Sequence, residues 1–258
     1  MSQQDLIRLS QGHLNLLSTC PPKFQQIYLD GLSSLPDSEH QESMRWGSQF
    51  HLLIQQRELG LPVNSLLTTN SELELAFKAL IAANPYLQGQ SSDTWREAEH
   101  SRSINQDNFL LTVIYDLLIA KPDQAIILDW KTYRQPRRME ELKRDWQTRL
   151  YLYVLAETSE YSPKEIQMIY WFVGSGKSQP IKFDYHQKWH AQNRRDLASL
   201  LTNLTNWINN FQQMHTSLPH KINCQLTCPY SQHLCSPQKN DSCQDWIKLI
   251  DNIKEITI

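Results

Sequence analysis

Apolar and polar positions divide this chain into stretches of different period. Residues 7–32 carry apolar positions at helical spacing, interrupted near Pro21-Pro22. Ser43 to Leu59 repeats the pattern, with Trp46, Phe50, Leu53 and Ile54 on one face and Gly60 as the stop. Ser71-Glu72-Leu73-Glu74 opens a third helix that runs to Ala83 and ends at Asn84-Pro85. The period then shortens. Arg96 to Ile104 alternates weakly, and Phe109–Ala120 and Ala125–Thr132 are nearly continuous apolar runs, which predicts strands covered on both faces. Lys121-Pro122-Asp123-Gln124 is the turn between them. Glu140–Glu157 predicts one long amphipathic helix. Ile166–Val173 and Pro180–Tyr185 are two further strands around Gly174-Ser175-Gly176, residues 187–213 a helix, and Asp245–Ile253 a short last one. The result is an α/β chain with a helical N-terminal part (1–90), a core (91–215) and a Cys-rich tail (216–258). No linker is long enough to divide the 258 residues, so a single domain is expected.

Composition narrows the classes. With 8 Trp, 10 Tyr and 7 Phe the chain has too much buriable surface for a disordered protein. The net charge of −2 announces no polyanion partner, so contact with nucleic acid must come from a local patch. No apolar run reaches the ~18 residues of a membrane span. Met1-Ser2-Gln3-Gln4-Asp5 lacks the basic and apolar regions of a secretory signal, so a soluble cytoplasmic protein is expected.

The chemistry gathers in the central hairpin. With a four-residue turn at Lys121–Gln124, Ala120 faces Ala125 and Asp116 lies directly opposite Asp129. Lys131, two residues on from Asp129, shares that face. Two carboxylates and an ammonium thus project together from apolar strands. Burying like charges side by side needs a neutralising group, and a divalent cation of the Mg²⁺ or Mn²⁺ type suits carboxylate oxygens. The lysine can then stabilise charge developing on a scissile phosphate. The alternative is an ion pair on an exposed edge, which Ile126, Ile127 and Leu128 argue against. If Gln106-Asp107 tops the preceding turn, Glu97 faces Asp116 and Glu99 faces Ile114, and either glutamate could approach the cation. On the following helix Lys143, Gln147 and Tyr151 form one stripe, which could hold a phosphate or a base or be an ordinary polar face. Arg134, Arg137 and Arg138 lead into that helix as a candidate phosphate clamp. His51 sits one step off the apolar face of the second helix, where a core or boundary role competes with metal ligation.

Five cysteines in a cytoplasmic chain argue against a disulfide framework. Cys20 stands alone, while Cys224, Cys228, Cys235 and Cys243 crowd into the tail with the spacing of a loose metal or iron–sulfur anchor; free thiols are the alternative.

These residues resemble a known family. Asp116 followed by Asp129-Trp130-Lys131 is similar to the signature of PD-(D/E)XK nucleases, and Gln147-Thr148-Arg149-Leu150-Tyr151 to the Q-x3-Y motif of its RecB-like exonuclease branch. Gly47-Ser48-Gln49-Phe50-His51 looks like that branch's G-x2-hydrophobic-H motif, and the likeness spans roughly residues 10–236. The resemblance implies a restriction-endonuclease-like core, a mixed central sheet flanked by helices, and Mg²⁺- or Mn²⁺-dependent hydrolysis of DNA phosphodiesters by an exonuclease of repair, recombination or defence. It implies His51, Asp116, Asp129 and the Trp130 backbone carbonyl as metal ligands, Lys131 as a catalytic residue, and Gln147 and Tyr151 as groups that orient DNA or the active site. Arg137, Arg138 and Lys143 would grip the strand. Similar AddB-type and CRISPR-associated nucleases hold a [4Fe-4S] cluster with one early and three late cysteines, which maps onto Cys20, Cys224, Cys228 and Cys235. It also implies DNA, single- or double-stranded, and a helicase or CRISPR-type protein as partners. The late spacing departs from the usual pattern, and Tyr115 stands before Asp116 where a small residue is common. The competing reading is a nuclease-like subunit that binds DNA or a partner without cutting.

Overall fold

The computed structural model describes residues 6–32, 38–67, 70–88, 93–132, 137–173 and 178–220, with the side chains of 38–40 and 178–179 left aside. A mixed sheet of six strands carries the fold: β1 (Ile7–Leu9), β2 (Trp95–Gln106), β3 (Phe109–Ala120), β4 (Ala125–Lys131), β5 (Ile166–Val173) and β6 (Ser178–Asp184). The apolar runs Phe109–Ala120 and Ile166–Val173 form strands with the predicted bounds; the second is buried on both faces, whereas Ile114 leaves one face of the first open. β2 pairs with β3 and β3 with β4 antiparallel, β4 with β5 parallel, and β5 with β6 antiparallel. β1 runs parallel to β3. The sequence pattern predicts helix over residues 7–32, interrupted near Pro21-Pro22. Instead the first three form this strand, and helix begins at α1 (Gln11–Thr19), followed by α2 (Pro21–Phe24). Three residues are too few for a period to be read.

One face of the sheet packs on α1, α2, α7 (Trp146–Thr158) and α8 (Gln187–Met214). The other packs on α3 (Ser38–Glu58), α4 (Asn64–Leu67) and α5 (Ser71–Ala83). The parallel β4–β5 pair needs a crossover, supplied by α6 (Met139–Arg144) and α7. The predicted long helix over 140–157 is therefore two helices. Asp145 takes an extended backbone between them (φ −64°, ψ 136°), and its carboxylate accepts the Gln147 N–H as the cap of α7. A capping side chain can stop one helix and start another where the apolar period runs through without a break. No helix among the described residues is long and apolar enough to cross a membrane.

The pleat of β2 and β3 inverts at one level. On β3, Val113 and Tyr115 face the α7 side, but Leu117 and Ile119 face the α3 side. On β2, Ala98 packs on the α3 side, whereas His100 stacks on Tyr115 and Arg102 donates to the Thr158 carbonyl at the end of α7. Both strands change phase together, so the ladder keeps its register above and below, from Ala98↔Leu117 to His100↔Tyr115. The residues at the change are Glu99 and Asp116. Glu99 holds a left-handed backbone, φ 53°, which costs a non-glycine residue about 1–2 kcal/mol.

Candidate active site

The site lies where the sheet forks. β2 occupies one edge of β3 for its whole length, so β1 and β4 share the other, opposite residues 109–111 and 117–120. The turn predicted at Lys121–Gln124 is present, and Ala120 does face Ala125. The ladder ends at Leu117↔Leu128, however, one pair short of Asp116 and Asp129. Asp116 is therefore not held opposite Asp129 by backbone pairing. Its Oδ2 instead accepts the Trp130 backbone N–H at 2.7 Å, so a carboxylate sits in the mouth of the fork. Its Oδ1 lies 3.3 Å from His51 Nδ1 on α3.

Asp129 and Lys131 leave β4 toward α7. Asp129 is 1% exposed, and its Oδ1 lies 2.7 Å from Lys131 Nζ. Gln147 donates from Nε2 to Asp129 Oδ2 at 2.6 Å and accepts from Lys131 Nζ on Oε1 at 2.6 Å. Those two partners permit only one orientation of the amide. Lys131 also stands 5.2 Å over the Tyr170 ring. Tyr151, one turn further along α7, hydrogen-bonds Gln147; burial, then the Asp129 and Asp116 charges, hold its hydroxyl well above the ordinary tyrosine range and therefore neutral. Gln147 is aimed by groups the motif does not contain. Asn15 on α1 donates from Nδ2 to Asp145 Oδ1 at 2.7 Å and accepts the Trp146 N–H at 2.9 Å, clamping the start of α7.

The third carboxylate comes from β2. The β2–β3 turn is Asp107-Asn108, one residue later than expected, with Asp107 at φ 53°. This shifts the register by two. Glu97 faces Leu118, not Asp116, and Glu99 takes the level of Asp116, not Ile114. Reading Asp107-Asn108 as the residue pair that tolerates left-handed backbone would have given this register. One ligand atom each from His51, Glu99 and Asp116 falls within a mutual 4.8 Å. Glu97 is occupied elsewhere, 2.8 Å from His100 Nδ1.

Electrostatics record the crowding. Burial, then the Asp116 charge, push Asp129 up from the usual carboxylate range against the pull of Lys131. Glu99 is raised by the same two causes. Burial alone would lower His51, but the hydrogen bond and charge of Asp116, backed by Asp129 and Glu99, carry it up to about 9. An imidazole nitrogen and two carboxylates gathered at one point are the donor set of a small hard divalent cation, so these residues fit the expected metal.

Close approach of α3 is permitted by Gly47. A Cβ there would stand 2.9 Å from Thr132 Oγ1, just beyond Lys131 on β4. Four residues on, on the same side of α3, comes His51. The expected stripe of Lys143, Gln147 and Tyr151 is not continuous. Lys143 belongs to α6 and stands 5.3 Å over the Trp189 ring, away from Gln147, because the break at Asp145 rotates the two helices apart. Arg137 donates to Asp145 Oδ2 at 2.7 Å, and Arg138 is exposed at the start of α6. Arg134 lies outside the described residues, as do Cys224, Cys228, Cys235, Cys243 and the helix expected near 245–253. Cys20 is half-buried at the junction of α1 and α2.

The family model for the PD-(D/E)XK nuclease superfamily matches residues 8–235. Among solved structures, a candidate exonuclease from Eubacterium rectale aligns over 95% of this chain and 95% of its own at 11% identity and a TM-score of 0.53, a likeness of fold. The structure of SSO0001 aligns over 89% and 88% at 12% identity and a TM-score of 0.36. No curated protein matches the sequence.

Proposed function

We propose, from the premise that this chain belongs to the PD-(D/E)XK nuclease superfamily, that it hydrolyses DNA phosphodiester bonds with Mg²⁺ or Mn²⁺, as an exonuclease of DNA repair, recombination or defence. The observation that carries this is the Lys131 ammonium fixed between Asp129 and Gln147, one residue on from the Trp130 N–H that binds the Asp116 carboxylate, itself in contact with His51. His51, Asp116, Asp129 and the Trp130 carbonyl would hold the ion, which supplies Lewis-acid polarisation of the phosphate and acidifies a water. Lys131 meets the negative charge that develops on the phosphate oxygens. Gln147 keeps that ammonium from collapsing onto Asp129 alone, because it binds both partners at once. Tyr151 stays a neutral hydroxyl and steadies Gln147. Arg138, exposed at the start of α6, suits a backbone phosphate.

The assay uses end-labelled linear DNA and closed circular DNA, single- and double-stranded, with Mg²⁺ against Mn²⁺. Degradation of linear DNA only, lost on chelation, is the expected result. No cleavage of any substrate with either ion overturns the reading, and DNA binding indifferent to the ion would favour a non-cutting subunit.

A [4Fe-4S] cluster on Cys20, Cys224, Cys228 and Cys235 is part of the same proposal. What supports it is the path of the chain before the tail: the Leu218 N–H donates to Gln25 Oε1 at 2.8 Å, and Pro219 and His220 line one cavity with Ser18 and Pro21, the neighbours of Cys20. Protein purified without oxygen should be brown and absorb near ~400 nm, and Cys20→Ala should be colourless. Colourless wild type with stoichiometric zinc would replace the cluster by a zinc site.

A further inference from the structure

We infer that Glu99 is a ligand of the divalent cation, so that His51 from α3, Asp116 from β3 and Glu99 from β2 together hold it. The inference deepens the nuclease reading and rests on it for the identity of the ion. Four observations carry it. The ligand atoms of the three residues lie within a mutual 4.8 Å. The half-buried Glu99 carboxylate makes no hydrogen bond or ion pair with any described residue, and Asp116 repels it more than His51 attracts it. Its backbone is left-handed, a conformation that glycine would adopt without strain, so the position carries a side chain where the backbone favours none. Finally, β2 and β3 invert their pleat together at Glu99 and Asp116, which turns two adjacent carboxylates toward the α3 side without losing the register of the sheet. A strained, repelled carboxylate is retained in such a place when a cation offsets the repulsion.

Mn²⁺ binding to the full chain, measured by calorimetry and by the loss of the free-ion paramagnetic resonance signal, tests this without reference to activity. Wild type should bind, Glu99→Gln should weaken binding by at least about tenfold, and Glu97→Gln on the same strand should bind as wild type. Glu99→Gly separates ligation from folding: relieving the left-handed strain should raise the melting temperature of the ion-free protein while Mn²⁺ affinity falls. Wild-type affinity in Glu99→Gln, or no Mn²⁺ binding by wild type at millimolar ion, overturns the inference. The two readings fail separately. A chain that cuts DNA and loses no Mn²⁺ affinity in Glu99→Gln refutes the ligand. A chain whose Mn²⁺ binding depends on Glu99 and which cuts nothing refutes the nuclease.

Discussion

Gly47→Ala sets two effects of known size against each other. Within α3 the added methyl group improves helix propensity by about 1 kcal/mol. It also places a Cβ 2.9 Å from Thr132 Oγ1, where ordinary contact begins near 3.4 Å, so about half an ångström must be found by moving α3 or the end of β4. Overpacking of this kind costs about 1–3 kcal/mol. The net effect is a destabilisation of about 0–2 kcal/mol, a fall in melting temperature of up to roughly 8 °C for a chain of this length. In a Thr132→Ala background the offending oxygen is gone and the nearest remaining atom, at 3.9 Å, is in ordinary contact. There the same change should stabilise by about 1 kcal/mol. The double-mutant cycle, by urea melts, should therefore return a coupling of about 1–3 kcal/mol. Activity follows geometry: displacing α3 carries His51 away from its 3.3 Å contact with Asp116, and kcat/KM on linear DNA should fall about tenfold in the single variant and recover in the double. Zero coupling, with Gly47→Ala stabilising equally in both backgrounds, refutes the argument that this glycine exists for close approach.

Other outcomes follow from the same geometry. Asp129→Ala and Lys131→Ala should each abolish ion-dependent DNA degradation with far-ultraviolet circular dichroism unchanged; retention of a tenth or more of the wild-type rate would contradict the role given to the pair. Protonated His51, raised to about 9 from an ordinary 6.5, contributes stability that is fully present below pH 6.5 and lost as pH rises through 9. The ion-free melting temperature should therefore fall over that interval, while Mn²⁺ affinity, which needs the neutral imidazole, should climb; melts with and without Mn²⁺ at pH 6.5 and 9 check it, and two flat profiles refute it. Glu58, 5% exposed, pairs with Arg57 at 2.5 Å and with Arg96, whose guanidinium groups also donate to the Leu87 and Tyr86 carbonyls. Glu58→Ala should destabilise by about 3 kcal/mol in urea melts, since it strands two half-buried cations, and a loss under 1 kcal/mol would show the pair to be solvated.

Much of the candidate site was legible in the residues. The Asp116, Asp129 and Lys131 spacing, the Gln147/Tyr151 pair and His51 on an amphipathic helix could be named in advance because strand alternation and helix period are local properties. The family likeness rested on the same residues. Lys143 misled for a local reason too: a periodic stripe says nothing of a cap at Asp145 that divides the helix.

The sequence by itself determined which apolar runs form the central strands, that one turn joins Phe109–Ala120 to Ala125–Lys131, and which residue types stand near it. Those follow from burial and from the handful of conformations open to each residue. Only the tertiary structure decided that β1 and β4 share an edge of β3 and leave a fork at Asp116, that β2 and β3 invert their pleat together, and that Glu99 joins His51 and Asp116. These depend on pairings between distant segments, where a shift of one turn residue exchanges one glutamate for another, and no local pattern fixes that choice.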